Sequence, residues 1–106
     1  MVYTVKDKDD FNAKLEEAGE KLVVVDFYAT WCGPCKAMAP QLEKLSVEKK
    51  DTVMFLKVDV DDNEDLSTEY GVSCMPTFIF LKNKKKVHEV TGAAIEKVKE
   101  GIELHK

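Results

Sequence analysis

The sequence predicts an α/β fold, with a central mixed sheet of five strands flanked by four helices. Three observations predict it. Short apolar runs alternate with stretches whose apolar residues recur at helical spacing. Two of those runs read as interior strands: Leu22 to Tyr28, apolar at nearly every position as strands covered on both faces are, and Val53 to Val60, interrupted by Lys57. Near the C-terminus, Pro76 to Leu81 and Lys86 to Val90 are separated only by a short polar turn, so they pair as a hairpin. The order is βαβαβα followed by ββα.

The start, Met1-Val2-Tyr3-Thr4-Val5, reads as a short strand. Asp7, followed by Asp9 and Asp10, marks an acidic helix N-terminus with Asp7 as its cap. Phe11, Leu15 and Ala18 then fall on one helical face, and Gly19 is the stop. With the run from Leu22 they make a strand–helix–strand unit, whose crossover is right-handed. A second helix runs from about Gly33 to Lys49 or Lys50, with Met38, Leu42 and Leu45 inward. Pro40 inside it removes a backbone hydrogen bond and is expected to kink it, at about 3 kcal/mol if uncompensated. Asp61 to Tyr70 reads as a short acidic helix ended by Gly71, and a last helix turns Ile95, Val98 and Ile102 inward.

Composition narrows the function classes. The 106 residues, 44% hydrophobic, suit one domain with a modest core, and no repeat or linker divides them. The net charge is −4 and all sixteen cationic residues are lysines, which argues against a nucleic-acid surface. No stretch approaches a membrane span, and the N-terminus has the look of neither a signal nor a transit peptide. Three cysteines are an odd number for a secreted disulfide scaffold, so a reducing, cytoplasmic compartment fits better, with the nucleus open to a chain this small.

The chemistry concentrates in Trp31-Cys32-Gly33-Pro34-Cys35, between a strand and the first turn of a helix. A cysteine there faces the positive end of the helix dipole and unpaired backbone N–H groups, which favour the nucleophilic thiolate. Cys32 is the expected attacking sulfur. Cys35, one turn along and expected to be more sheltered, is the resolving one. In that cycle Cys32 opens a substrate disulfide and Cys35 displaces the reduced product from the mixed disulfide. The alternative, a zinc site, would need four ligands, and only Cys74, His88 and His105 remain to supply them.

Placed on this order of elements, the chain resembles the thioredoxin family, in its animal cytosolic branch, over nearly its whole length. The matching residues are Asp26-Phe27, Ala29, Trp31-Cys32-Gly33-Pro34-Cys35-Lys36, Ala39-Pro40, Lys57-Val58-Asp59, Met75-Pro76-Thr77 and Gly92-Ala93. The resemblance implies a thioredoxin fold and a protein-disulfide reductase with no bound cofactor. Its electrons would come from NADPH through the flavin enzyme thioredoxin reductase, and its substrates would be disulfide-containing proteins such as peroxiredoxins. It also implies a cis Met75–Pro76 bond facing the cysteines, where an extended substrate could pair with the Met75 backbone. A proline at that place would also keep metal from bridging the thiols.

Other residues have readings of their own. Gly33-Pro34 gives the thiolate no extra donor and stiffens the turn, which favours a reductase over an oxidant or isomerase. Asp26 lies in a buried strand, so its pKa should be raised, suiting a proton acceptor for Cys35 through a water. Lys57 is either the cationic neighbour of Asp26 or a lysine that snorkels to the surface. Trp31, Val72, Met75, Pro76 and Gly92, with Gly33 and Pro34, could form a flat, weakly selective substrate surface. Tyr28 and Phe27 read as packing residues. Cys74 is either an inert buried thiol or, as the resemblance implies, an exposed one able to join two otherwise monomeric chains or be oxidised. Lys82, Lys84, Lys85 and Lys86 read as guards of a sheet edge. A further alternative is a binding module whose reduced form grips a partner.

Two positions depart from the family pattern. Asn83-Lys84 stands where a hairpin glycine is usual, and Ala94 where an asparagine usually caps the last helix. The first should strain a turn that needs positive φ unless Asn83 takes that conformation, and the second should cost about 1 kcal/mol.

Overall fold

The computed structural model describes residues 1–106, and the elements come in the predicted order. They are β1 (Val2–Thr4), α1 (Lys8–Ala18), β2 (Leu22–Tyr28), α2 (Gly33–Glu48), β3 (Val53–Asp59), α3 (Glu64–Glu69), β4 (Thr77–Lys82), β5 (Lys85–Thr91) and α4 (Ile95–His105). The five strands form one sheet in the order β1-β3-β2-β4-β5. β1, β3 and β2 run parallel, while β4 is antiparallel to both β2 and β5.

Strand alternation splits the core in two. Val23, Val25 and Phe27 of β2 join Leu56, Val58, Ile79 and Leu81 against Phe11, Leu15 and Leu66 of α1 and α3. Leu22 and Val24 join Val53, Phe55, Phe78 and Phe80 against Met38, Leu42 and Leu45 of α2 and Val98 and Ile102 of α4. Asp26 is the next residue of β2 on this second face. It pairs in register with Lys57 on one side and Phe78 on the other.

Element ends follow local chemistry. The Asp7 carboxylate accepts from Asp10 N–H at 2.8 Å, and Gly19 closes α1 at φ 58°. α2 stays helical through Pro40, which sits on its exposed side. α3 is shorter than Asp61 to Tyr70, because the first residues are spent in a turn. There Asp59 Oδ1 accepts from Asp61 N–H at 2.9 Å, and the Asp59 carbonyl accepts from Asn63 N–H at 3.0 Å. β4 begins at Thr77, one residue after Pro76, which has no N–H to give a ladder. Its carbonyl accepts from Gly92 N–H at 2.8 Å.

Both departures have structural consequences. In the β4–β5 turn, Asn83 and Lys84 have φ of 52° and 68°, the double positive-φ turn that a right-twisted hairpin needs. Asparagine tolerates this conformation, but lysine pays a steric cost there of roughly 1–2 kcal/mol. Lys84→Gly is therefore expected to stabilise the fold by about 1 kcal/mol, raising Tm by about 4–8 °C in a thermal melt. The lost exposed ion pair of Lys84 with Glu16 is worth too little to reverse that gain. Ala94 stands at the α4 N-cap with no side-chain cap bond, as expected. β5 is a sheet edge, and its lysines lie where an edge needs them.

One α4 residue escaped the sequence reading. Gly101 is buried, and a Cβ on it would lie 2.8 Å from ring atoms of both Phe80 and His88. Alanine gains about 1 kcal/mol of helix propensity over glycine, yet overpacking a rigid core costs about 1–3 kcal/mol. Because the Phe80 ring is fully buried, the clash should win. Gly101→Ala is expected to lower the denaturant midpoint, and an unchanged or higher midpoint would show that α4 simply shifts.

Candidate active site

The β2–α2 connection aims both cysteines at the C-terminal end of the parallel strands. Cys32 is the α2 N-cap, with extended backbone (φ −86°, ψ 110°), and Pro34 occupies the first turn, where a missing N–H costs nothing. The Cys32 sulfur takes the place of a capping oxygen, accepting from the Cys35 N–H at 3.1 Å. Cys32 and Cys35 are joined by a disulfide, with their Cα atoms 5.3 Å apart. Gly33 and Pro34 are exposed. Cys35 is expected to be the more sheltered cysteine, but as whole residues the two are equally buried in this oxidised form, each 6% exposed. They differ in their place at the helix start: Cys32 is its cap and Cys35 lies in its first turn.

Around them pack Ala29, Tyr28, Val60 and Met75. The Met75–Pro76 bond is cis, and the Met75 carbonyl lies 3.8 Å from the Cys32 sulfur. In the disulfide that sulfur carries no proton, so this is a contact and not a hydrogen bond. Pro76 itself is buried, and Gly92, at φ 89°, closes over it through its N–H. Cys74 is exposed, and its carbonyl accepts from the Thr77 hydroxyl at 2.6 Å. Val72 is half-buried against the α1–α3 side of the core and is not in the cluster around the sulfurs.

Trp31 is 67% exposed, as a residue of a substrate surface should be. Its indole N–H donates to Asp61 Oδ2 at 3.0 Å, fixing the ring beside the disulfide. Asp61 and Val60 were missed by the sequence reading. The only signal was the place where the β3 apolar run gives way to acid, which specifies no partner thirty residues away.

Behind the disulfide, Asp26 is 8% exposed and its Oδ1 is buried without a hydrogen-bond partner. Burial pushes its pKa up, and the Lys57 charge pulls it partly back, leaving it at about 7. A cavity of about 230 Å³ links Asp26 to Cys35, with Tyr28, Thr30, Lys36 and Lys57 also in its walls. Tyr28, read from sequence as packing, is a cavity wall; Phe27, on the opposite face, is core.

A disulfide in the β2–α2 turn, beside a cis-proline and above a buried carboxyl of raised pKa, defines a thiol–disulfide oxidoreductase. The thioredoxin family profile matches residues 2–103. The chain is 52% identical to thioredoxin of Ophiophagus hannah, over 99% of each chain, and 52% identical to that of Homo sapiens, over 96% of each. Its fold superposes on Fasciola hepatica thioredoxin with a TM-score of 0.94 at 42% identity, covering 98% of this chain and 99% of that one. This chain belongs to the thioredoxin family, and it is a protein-disulfide reductase working through a redox-active cysteine pair.

Proposed function

We propose that Cys32 attacks and Cys35 resolves, in residues 1–106 acting as one thioredoxin domain. The observation that carries this is the Cys32 sulfur at the α2 N-cap, 3.1 Å from the Cys35 N–H. In the reduced protein that donor and the helix dipole stabilise a Cys32 thiolate. The thiolate attacks one sulfur of the substrate disulfide, expelling the other as a thiolate and leaving a mixed disulfide. Cys35 then loses its proton to Asp26, through a water in the shared cavity, and attacks the Cys32 sulfur. The second substrate sulfur leaves as a thiolate, and the Cys32–Cys35 disulfide remains. Two electrons have moved to the substrate; the one proton released by Cys35 rests on Asp26 until it is returned through the cavity water, and the substrate thiolates are protonated from solvent.

The cis Met75–Pro76 edge supports an extended substrate segment pairing with Met75 backbone, with Trp31 and Gly92 as flanking apolar surface. Val72 would lie at its margin. We infer reduction by a thioredoxin reductase drawing on NADPH, disulfide substrates of the peroxiredoxin kind, and no role for nucleic acid or membrane. No helix is long and apolar enough to cross a membrane. The small cysteine count and the family support a cytoplasmic place, with access to the nucleus. The exposure of Cys74 supports a monomer that can join a second copy through that thiol.

Equilibration of the Cys32–Cys35 pair against glutathione redox buffers tests the direction of electron flow. A potential well below that of glutathione, in the range near −270 mV found for reductases of this motif, is expected. A potential above the glutathione couple would make the chain an oxidant or isomerase and overturn the reading of Gly33-Pro34.

A further inference from the structure

Asp26 and Lys57 are register partners on adjacent strands, and both belong to the α2–α4 face of the sheet. A lysine stem is long enough to bring its ammonium onto that carboxyl group. It does not: Asp26 is in none of the chain's ion pairs, and its Oδ1 has no partner. Instead the Lys57 Nζ sits over the ring of Tyr28, 5.6 Å from its centroid. Tyr28 is two residues beyond Asp26 on β2, hence on the same face, and half-buried at the cavity wall. A cation within about 6 Å of a ring centroid is attracted by the electron-rich face, the more so where water is partly excluded.

We propose that Tyr28 is a positioning residue whose ring holds the Lys57 ammonium off the Asp26 carboxyl group. Without that ring, Lys57 would close on Asp26, and a contact ion pair would hold the carboxyl ionised through the pH range in which it must accept and return a proton. Tyr28 thereby sets how strongly Lys57 acts on Asp26. The other groups facing this cavity do not supply the same device. Lys36 of α2 lines the cavity, Cys35 is the proton donor, and Phe78 of β4 carries no charge. Burial is the main cause of the raised Tyr28 pKa, followed by the charges of Asp59, Asp26 and Asp62.

The inference rests on the acceptor role given to Asp26, so the test separates the two. The Asp26 carboxyl ¹³C shift is followed against pH in the oxidised protein, where neither Cys32 nor Cys35 titrates. Tyr28→Leu is expected to lower the Asp26 midpoint by about one unit, a tenfold change in proton affinity. Tyr28→Met, equally without a π face, must do the same, and Tyr28→Phe must titrate like the parent. On a Lys57→Met background, Tyr28→Leu must have no such effect. An unmoved midpoint in both ring-less variants overturns the proposal, as does a fall in Tyr28→Phe equal to that in Tyr28→Leu. If the midpoint falls but the pH profile of the resolving step does not follow, the positioning by Tyr28 stands and the acceptor role of Asp26 fails.

Discussion

Replacing Cys35 with serine is expected to stop turnover while leaving attack intact. Cys32 keeps its place at the helix N-cap and its donor, the residue-35 backbone N–H, which the substitution does not touch. The variant should still open a substrate disulfide, but a serine hydroxyl cannot displace a thiolate from the mixed disulfide at neutral pH. Multiple-turnover reduction of a protein disulfide should fall on the order of a thousandfold or more, as when a member of a nucleophilic unit is lost. A covalent adduct should accumulate, visible by mass and released by a small thiol. Cys32→Ser should form no adduct at all. If Cys35→Ser holds its partner equally well in excess thiol, the grip is non-covalent and the chain acts as a binding module. If turnover persists, Cys35 is not the resolving group.

Asp26→Asn should move stability and catalysis in opposite directions, each with its own pH dependence. Burial raises the folded Asp26 pKa from 3.8 to about 7, against the lowering pull of Lys57. Between those values the unfolded chain has released this proton and the folded chain still holds it. The unfolded state therefore binds fewer protons, and stability falls as pH rises through the window. Below pH 4 the penalty is absent; above pH 7 it is complete, at about 4 kcal/mol. Asparagine resembles the protonated carboxyl in size and polarity. The variant should match the parent in denaturant midpoint at pH 4 and exceed it clearly at pH 8. The resolving step, by contrast, should slow most at and above pH 7, where the parent carboxyl is ionised and can take the Cys35 proton. A stability gain independent of pH would show that Asp26 titrates alike in the folded and unfolded chain, and an unchanged resolving rate would remove it from the proton path.

Much of this was legible in the chain because the signals are local. Continuous apolar runs specified interior strands, and Asp7, Gly19 and Gly71 specified helix ends through their own backbone chemistry. Cys32 and Cys35 declared a redox pair by standing one turn apart at a helix start. Asp26 and Lys57 were visible as ionisable residues interrupting apolar runs. From sequence Asn83-Lys84 was expected to strain a turn unless Asn83 took positive φ, which it does; the strain falls on Lys84 instead. That both residues take positive φ became plain only once the Lys82–Lys85 pairing was seen.

What remained hidden depends on distance across the fold. Nothing near Gly101 in sequence says that the Phe80 ring will pass 2.8 Å from where its Cβ would be. Asp61 looks like any acid after a strand until the β2–α2 loop brings the Trp31 indole to it. The equal burial of the two cysteine residues is likewise a property of the folded chain, which their spacing alone does not give. The choice Lys57 makes between Asp26 and Tyr28 needs β2 and β3 side by side in register. The sequence by itself determined the order of elements, the redox pair and the buried acid, because each is written in neighbouring residues. The tertiary structure alone decided which groups share the cavity and which charge meets which partner, because electrostatic and packing energies depend on separation in space, and separation along the chain does not fix it.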